Sequence, residues 1–325
     1  MPSPSTALAT LRPDLGGSFE EFDLAMDRQG FIATRVLPVL EVAKASGVFG
    51  KIPIEQLLKV RETKRAPGGG YSRGKFTFTS ASFACEEHGA EEPVDDNESK
   101  LYAEYFDAEI VAAARARDAV LRNQEVRAAA LLFNTTTWTG AALTTGVSTE
   151  WDTIATAVPV TNVEAAVRKV YDGSGLWCNA LIITKVVFRN LRRCAQIVDM
   201  AKSQGFMDVR PGKITAAQLA VVFDLPHIIV AGGTKDSALE GQASTPAPLW
   251  DDEYAMVARI AETNDIREPC VGRTFHWGED GSLIGGLMEE YRDESVRGDI
   301  VRSRHQVDEV VLYPEAAHLM SNITT

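Results

Sequence analysis

The chain has 325 residues, 45% of them apolar and 24% charged, ordinary globular values that exclude wholesale disorder and allow two compact units or one elaborated fold. With 45 acidic against 33 basic residues the formal net charge is -12, the wrong sign for a general coat that neutralises nucleic-acid phosphates. No run approaches the roughly 18 apolar residues of a membrane span, and the N-terminal MPSPSTALATLRPDLGG has no basic segment leading into an apolar one, so a cytosolic protein is expected. Cys85, Cys178, Cys194 and Cys270 are far apart with no CxxC, which reads as buried or incidental thiols.

In chain order, Phe19, Phe22, Leu24 and Met26 among acids predict a short amphipathic helix to about Gln29, closed by Gly30. Phe31 to Val42 carries Pro38 inside an apolar run, which predicts an extended strap that cannot be a central strand. Lys59 to Arg65, the breaker from Ala66 to Gly74 and the alternating run from Lys75 predict a long β-hairpin. Arms of about ten to twelve residues would reach roughly 35 Å, and a two-stranded ribbon of that length needs a surface to lie on.

Charge here is sorted into blocks. Lys51, Lys59, Arg61, Lys64, Arg65, Arg73 and Lys75 are opposed only by Glu55 and Glu62, and then Glu86, Glu87, Glu91, Glu92, Asp95, Asp96 and Glu98 follow. Each block reads either as a solvated face or as half of a contact in which the basic hairpin of one copy lies on the acidic surface of another. In the second reading the contact residues are Lys59, Arg61, Lys64, Arg65, Arg73, Lys75, Glu86, Glu87, Glu91, Glu92, Asp95 and Asp96.

From Glu98 to Phe133 an Ala-, Glu- and Arg-rich run without Gly or Pro predicts one helix of about 50 Å, with Asp95 and Glu98 at capping-box spacing and a kink near Asn123. Thr135 to Gly140 and the segment at Gly146 form a polar connection. Beyond Trp151 the pattern alternates: a helix capped by Thr161 and Glu164, ending at Tyr171 before Gly173; a buried strand at 180–183; a helix from Thr184 through Arg193 and on towards Gln204; a Thr215-capped helix to Phe223; and a strand from His227 into Gly232-Gly233. A Ser/Pro/Gly loop over 234–250 and a strand from Tyr254 to Ile260 follow. The chain then turns β-rich, alternating from Tyr291 to Arg304 and ending from Val307 as strand, turn and terminal element.

The catalytic constellations are not matched. His88, His227, His276, His305 and His318 form no HExxH, no GxSxG is present, and the glycines at 68–74 precede a strand rather than open a helix. Gly232-Gly233-Thr-Lys is the best phosphate-loop candidate but lacks the upstream glycine and the Gly-Lys-Ser/Thr order. Asp251-Asp252 and Glu289-Glu290 read as solvated charge, and Trp138, Trp151, Trp177, Trp250 and Trp277 as packing residues. No catalytic residue, metal or cofactor is predicted.

This order resembles the major capsid proteins of tailed bacteriophages, the HK-type capsid fold shared with encapsulins. Phe31 to Val42 with Gly47-Val-Phe-Gly-Lys-Ile52 is similar to that family's arm and loop entry, Arg61-Glu-Thr-Lys-Arg-Ala-Pro-Gly-Gly69 to its loop, and Trp250 to Val257 and Tyr313 to Ile323 to its late strands. The resemblance implies an α+β fold: an N-terminal arm (1–50), an extended β-hairpin loop (51–95), a peripheral domain made of a spine helix (96–150) and C-terminal strands (263–325), and an axial α/β domain (151–262). It implies pentamers and hexamers on an icosahedral shell around double-stranded DNA, contacted weakly and without sequence preference. A virion location after assembly in the host cytoplasm is also implied, with a portal, cement proteins and, since some thirty residues precede the arm, a separate scaffolding protein as partners. A cross-link of the kind a few relatives make would draw on Lys64 or Lys75 with Asn322. An encapsulin-like compartment and a soluble α/β enzyme using Gly232-Gly233 are the alternatives.

Overall fold

The computed structural model describes residues 10–11, 30–51, 53–75, 77, 79–102, 107–203, 212–239, 241–279 and 281–324; the helix expected from Phe19 to Gln29 lies outside them. Strand β1 (Thr10–Leu11) comes first. The strap is a single helical turn, α1 (Ala33–Val36), followed by β2 (Val39–Glu41), so it is extended only after Pro38. β3 (Ser46–Lys51), α2 (Ile54–Leu57) and β4 (Thr79–Ala84) build the hairpin, with Ser46 opposite Ala84 and Lys51 opposite Thr79.

The hairpin differs from the expected one. Its ladder is six residues per arm, about 20 Å, and uses Ser46–Lys51 rather than Lys59 to Arg65. The ladder forms where it can pack: Phe83 stacks on Phe275 at 4.6 Å between centroids and Phe49 meets the same ring at 5.8 Å. Beyond Lys51 the first arm turns into α2, and residues 58–75 form no ladder.

β5 (Glu86–Asp95) makes the acidic block a strand, not the second arm of the hairpin or a linker. α3 (Asp96–Tyr102) and α4 (Ala108–Leu132) replace the single helix. The division falls before Ala108, where the Asp107 carboxylate caps α4 by accepting from Glu109 N at 3.0 Å; α4 then runs unbroken past Asn123 for about 37 Å. Asp95 caps α3 as expected, its carboxylate accepting from Asn97 N at 2.7 Å.

β6 (Thr144–Gly146) precedes α5 (Pro159–Ser174). Proline opens α5, where its missing N–H costs nothing, and Gly175 ends it at φ +70°, so neither Thr161 nor Gly173 bounds it. β7 (Ala180–Thr184), wholly buried, leads into α6 (Lys185–Leu191), capped by Thr184 as expected; a turn at 192–194 separates it from α7 (Ala195–Ser203). α8 (Ala216–Phe223) carries a Thr215–Gln218 capping box and runs into β8 (His227–Ala231). The loop that follows contains a small hairpin, β9 (Thr234–Asp236) with β10 (Pro246–Pro248), before β11 (Ala255–Ala258). β12 (Gly272–His276), β13 (Leu287–Asp293), the 14-residue β14 (Gly298–Val311), a 3-10 turn at Pro314–Ala316 and β15 (Ala317–Ser321) complete the chain.

Two sheets result. One is six-stranded, ordered β1-β13-β14-β12-β2 with β5 on the other side of β14, which is long enough to carry β5 along one edge and β13 then β12 along the other. β2 lies at its border, which is where Pro38 is tolerated. The second, β6-β15-β11-β7-β8, is covered by α5 and its neighbours around Leu181, Ile183, Val163 and Leu191. α4 spans both: Ala112 and Ala113 pack on Val94, Met288 and Val301 of the first sheet, and Ala128, Ala129 and Leu132 join Ile182, Met256 and Trp250 of the second. Residues 144–146 and 317–321 therefore belong with the second sheet, outside the 151–262 bounds drawn for the axial unit, because the all-buried β11 needs β15 beside it.

Candidate assembly interface

The segment between β3 and β4 is a finger rooted on the first sheet. At the root the Lys51 ammonium donates to Leu312 O and sits 4.4 Å from the centre of the Tyr313 ring. Leu58 lies over Gly175, where an added methyl would come within 3.1 Å of it. At the tip Gly69 N donates to Ala66 O at 3.0 Å, with Pro67 and Gly68 (φ +81°) in the two central positions, the residues a type II turn requires. Arg61 takes up the space left by the missing side chain of Gly74. Arg65 donates to Gly69 O at 2.5 Å and stacks 4.8 Å from the Tyr71 ring centre. Lys59, Lys64, Arg65, Arg73 and Lys75 are exposed and Arg61 is half-buried. Among these cations Val60 is 95% exposed and Tyr71 73%.

The acidic set meets arginines of its own chain. Arg302 reaches Glu91 at 3.6 Å, Arg304 reaches Glu87 at 3.7 Å, and Arg115 reaches Glu92 at 3.6 Å. Arg292 grips Asp96 with two bonds of 2.7 Å, which hold its carboxyl below the usual range. Arg302 and Arg304 share the buried Glu289; burial raises its pKa, and their hydrogen bonds outweigh that and leave it lowered. Glu289 is thus no solvated carboxylate. Glu86 is exposed beside Val307, and Asp95 is occupied by the turn to α3. The basic set lies on the finger, the acidic set along the rim of the first sheet and the start of α3.

Two features escape sequence reading. Glu125, mid-helix in α4 between Gln124 and Val126, is buried and bonded to Ala33 and to Trp250. The arginine row at 302 and 304 shares one strand face by period two, but its partners depend on register. Gly232 and Gly233 form no phosphate cradle: Lys185 packs over the first, Leu249 and Phe31 over the second, and β9 rather than a helix follows. Asp252 accepts from Thr184 and Asp251 from Glu253 N, so that pair is structural. Trp138, Trp151 and Trp250 are core, Trp277 is half-buried and Trp177 is exposed. Cys178, Cys194 and Cys270 are buried and Cys85 half-buried.

No family model matches the chain. A major capsid protein of Pseudomonas phage JBD67 is 22% identical over 292 residues, covering 90% of this chain and 91% of the relative. A phage-related protein of Bordetella bronchiseptica RB50 superposes with a TM-score of 0.68 at 16% identity, over 97% of this chain and 98% of its own. The capsid structure of cyanophage P-SCSP1u gives 0.55 at 11% identity, over 88% and 86%. This chain has the major capsid fold of tailed phages.

Proposed function

We propose that this chain is a phage major capsid protein, a non-enzymatic subunit whose copies join as pentamers and hexamers into an icosahedral shell around double-stranded DNA. The observation that carries the reading is the finger. A segment with Val60 almost wholly exposed and Tyr71 largely so, set among cations and rooted at β3 and β4, gains stability when another surface covers it. A second copy is the natural cover, since a heterologous contact repeated about an axis closes into a ring. Lys59, Arg61, Lys64, Arg65, Arg73 and Lys75 are the finger's side of that contact. Glu86, Glu87, Glu91, Glu92, Asp95 and Asp96 are the receiving side, where arginines of the same chain hold Glu87, Glu91, Glu92 and Asp96 in place. A separate scaffolding protein, a portal and cement proteins go with this reading as partners, and the net charge of -12 keeps contact with DNA weak and non-specific. The axial unit is read as 144–262 plus the last strand, the remainder as peripheral.

Electron microscopy of the full chain, expressed alone and with a co-expressed scaffold, tests this. Closed shells or capsomer rings are expected; a monomer in every salt and scaffold condition contradicts it.

A further inference from the structure

On the second sheet a cleft of about 150 Å³ opens between β6, α5 and β15. Its polar lining is Thr145, Ser148, Asn162, Lys169 and His318, and Lys169 is the only charged residue; no carboxylate lines it, in a chain with an excess of acids. Asn162 and Lys169 lie seven residues apart, on the same face of α5, with Ala165 and Ala166 between them leaving the space open. Helical side chains lean towards the helix N-terminus, so the lysine leans towards the amide.

The donors here are fixed. His318 Nδ1 is 2.9 Å from Ala142 O, and a carbonyl only accepts, so Nδ1 carries the proton. Nε2 therefore accepts from the Thr145 hydroxyl at 2.9 Å, and the Thr145 oxygen in turn accepts from Lys169 Nζ. Burial and the Lys169 charge lower the His318 pKa, which keeps the ring neutral in this role. Lys169 also donates to Ala141 O at 3.1 Å, which leaves the third ammonium proton for the cleft. Asn162 Nδ2 is buried without a hydrogen-bond partner, an unmet donor whose desolvation cost a ligand acceptor would remove.

We propose that this cleft binds a small oxyanion of the phosphate class, held by Lys169 Nζ and Asn162 Nδ2, with Thr145 and His318 positioning the lysine. A cation finds no carboxylate here and an apolar ligand would leave the ammonium unpaired, whereas an anion meets converging donors.

Thermal unfolding of the full chain in inorganic phosphate, against sodium chloride at matched ionic strength, tests this. A saturable rise in the midpoint is expected, about 2 °C at tenfold the dissociation constant. It is lost in Lys169→Met and in Asn162→Leu and kept in Lys169→Arg. Should Lys169→Met not fold by circular dichroism, Asn162→Leu decides. Phosphate also stabilises proteins by exclusion from their surface. An unsaturating rise common to wild type and variants, or no rise in wild type, overturns the proposal.

Discussion

Trp250 Nε1 donates to Glu125 Oε2 at 2.8 Å, and the other oxygen of the same buried carboxylate accepts from Ala33 N at 2.5 Å. One side chain of α4 thus ties α1 to the segment that leads into β11. Burial pushes the Glu125 pKa up, and the Ala33 and Trp250 donors pull against it. Glu125→Ala strands two buried N–H groups, and the expected loss is about 2–4 kcal/mol. Urea unfolding measures it, and early protease cleavage within 30–42 would show the arm released. A loss below about 1 kcal/mol would mean that the arm is held by its apolar contacts alone.

Phe275 supports the finger's root through Phe49 and Phe83 and is itself fully buried. Phe275→Ala is expected to cost about 3–5 kcal/mol, the range for a large core deletion. Because the ladder between β3 and β4 forms where these rings meet, cleavage within 52–78 should quicken more than cleavage elsewhere. Uniform acceleration would mean that the root does not depend on this cluster.

Stability should fall in mild acid because of His305. Burial holds its ring down at about 4 against an ordinary 6.5; the Ile284 carbonyl and Glu309 raise it, and Arg127 and His88 lower it. Between about pH 6.5 and 4 the unfolded ring binds a proton that the folded ring refuses. Stability is therefore present in full above 6.5 and drains away as pH falls, by on the order of 3 kcal/mol. His305→Gln, which cannot titrate, should flatten this part of the stability profile in urea midpoints at pH 7 and pH 4.5. An unchanged slope would assign it to other groups.

The second sheet was legible where local signals agree with packing: Thr184 and Thr215 cap helices, and the apolar runs at 180–184 and 227–231 are neighbouring parallel strands. Misread elements were those decided by distant partners. Ser46–Lys51 has few strand-forming residues and becomes a strand through Phe49. Glu86–Asp95 has the composition of a linker and pairs along ten residues of β14, its charges met by arginines some two hundred positions away. Ala317–Ser321 crosses to the second sheet because β11 is buried on both faces. Of the proposed interface, the cation block and its turn could be read from sequence, since an exposed Pro-Gly turn is a local property. Occupation of the acids by Arg292, Arg302 and Arg304 could not be, because strand register sets it.

Sedimentation velocity of the wild type beside an Arg61→Glu, Lys64→Glu, Arg65→Glu triple variant tests the assembly claim most directly, since reversed charge at the finger opposes docking on an acidic strand. The expected result is fast-sedimenting shells or capsomers from the wild type and slow subunits from the variant, with matching circular dichroism. Equal yields of large particles from both proteins would contradict the account.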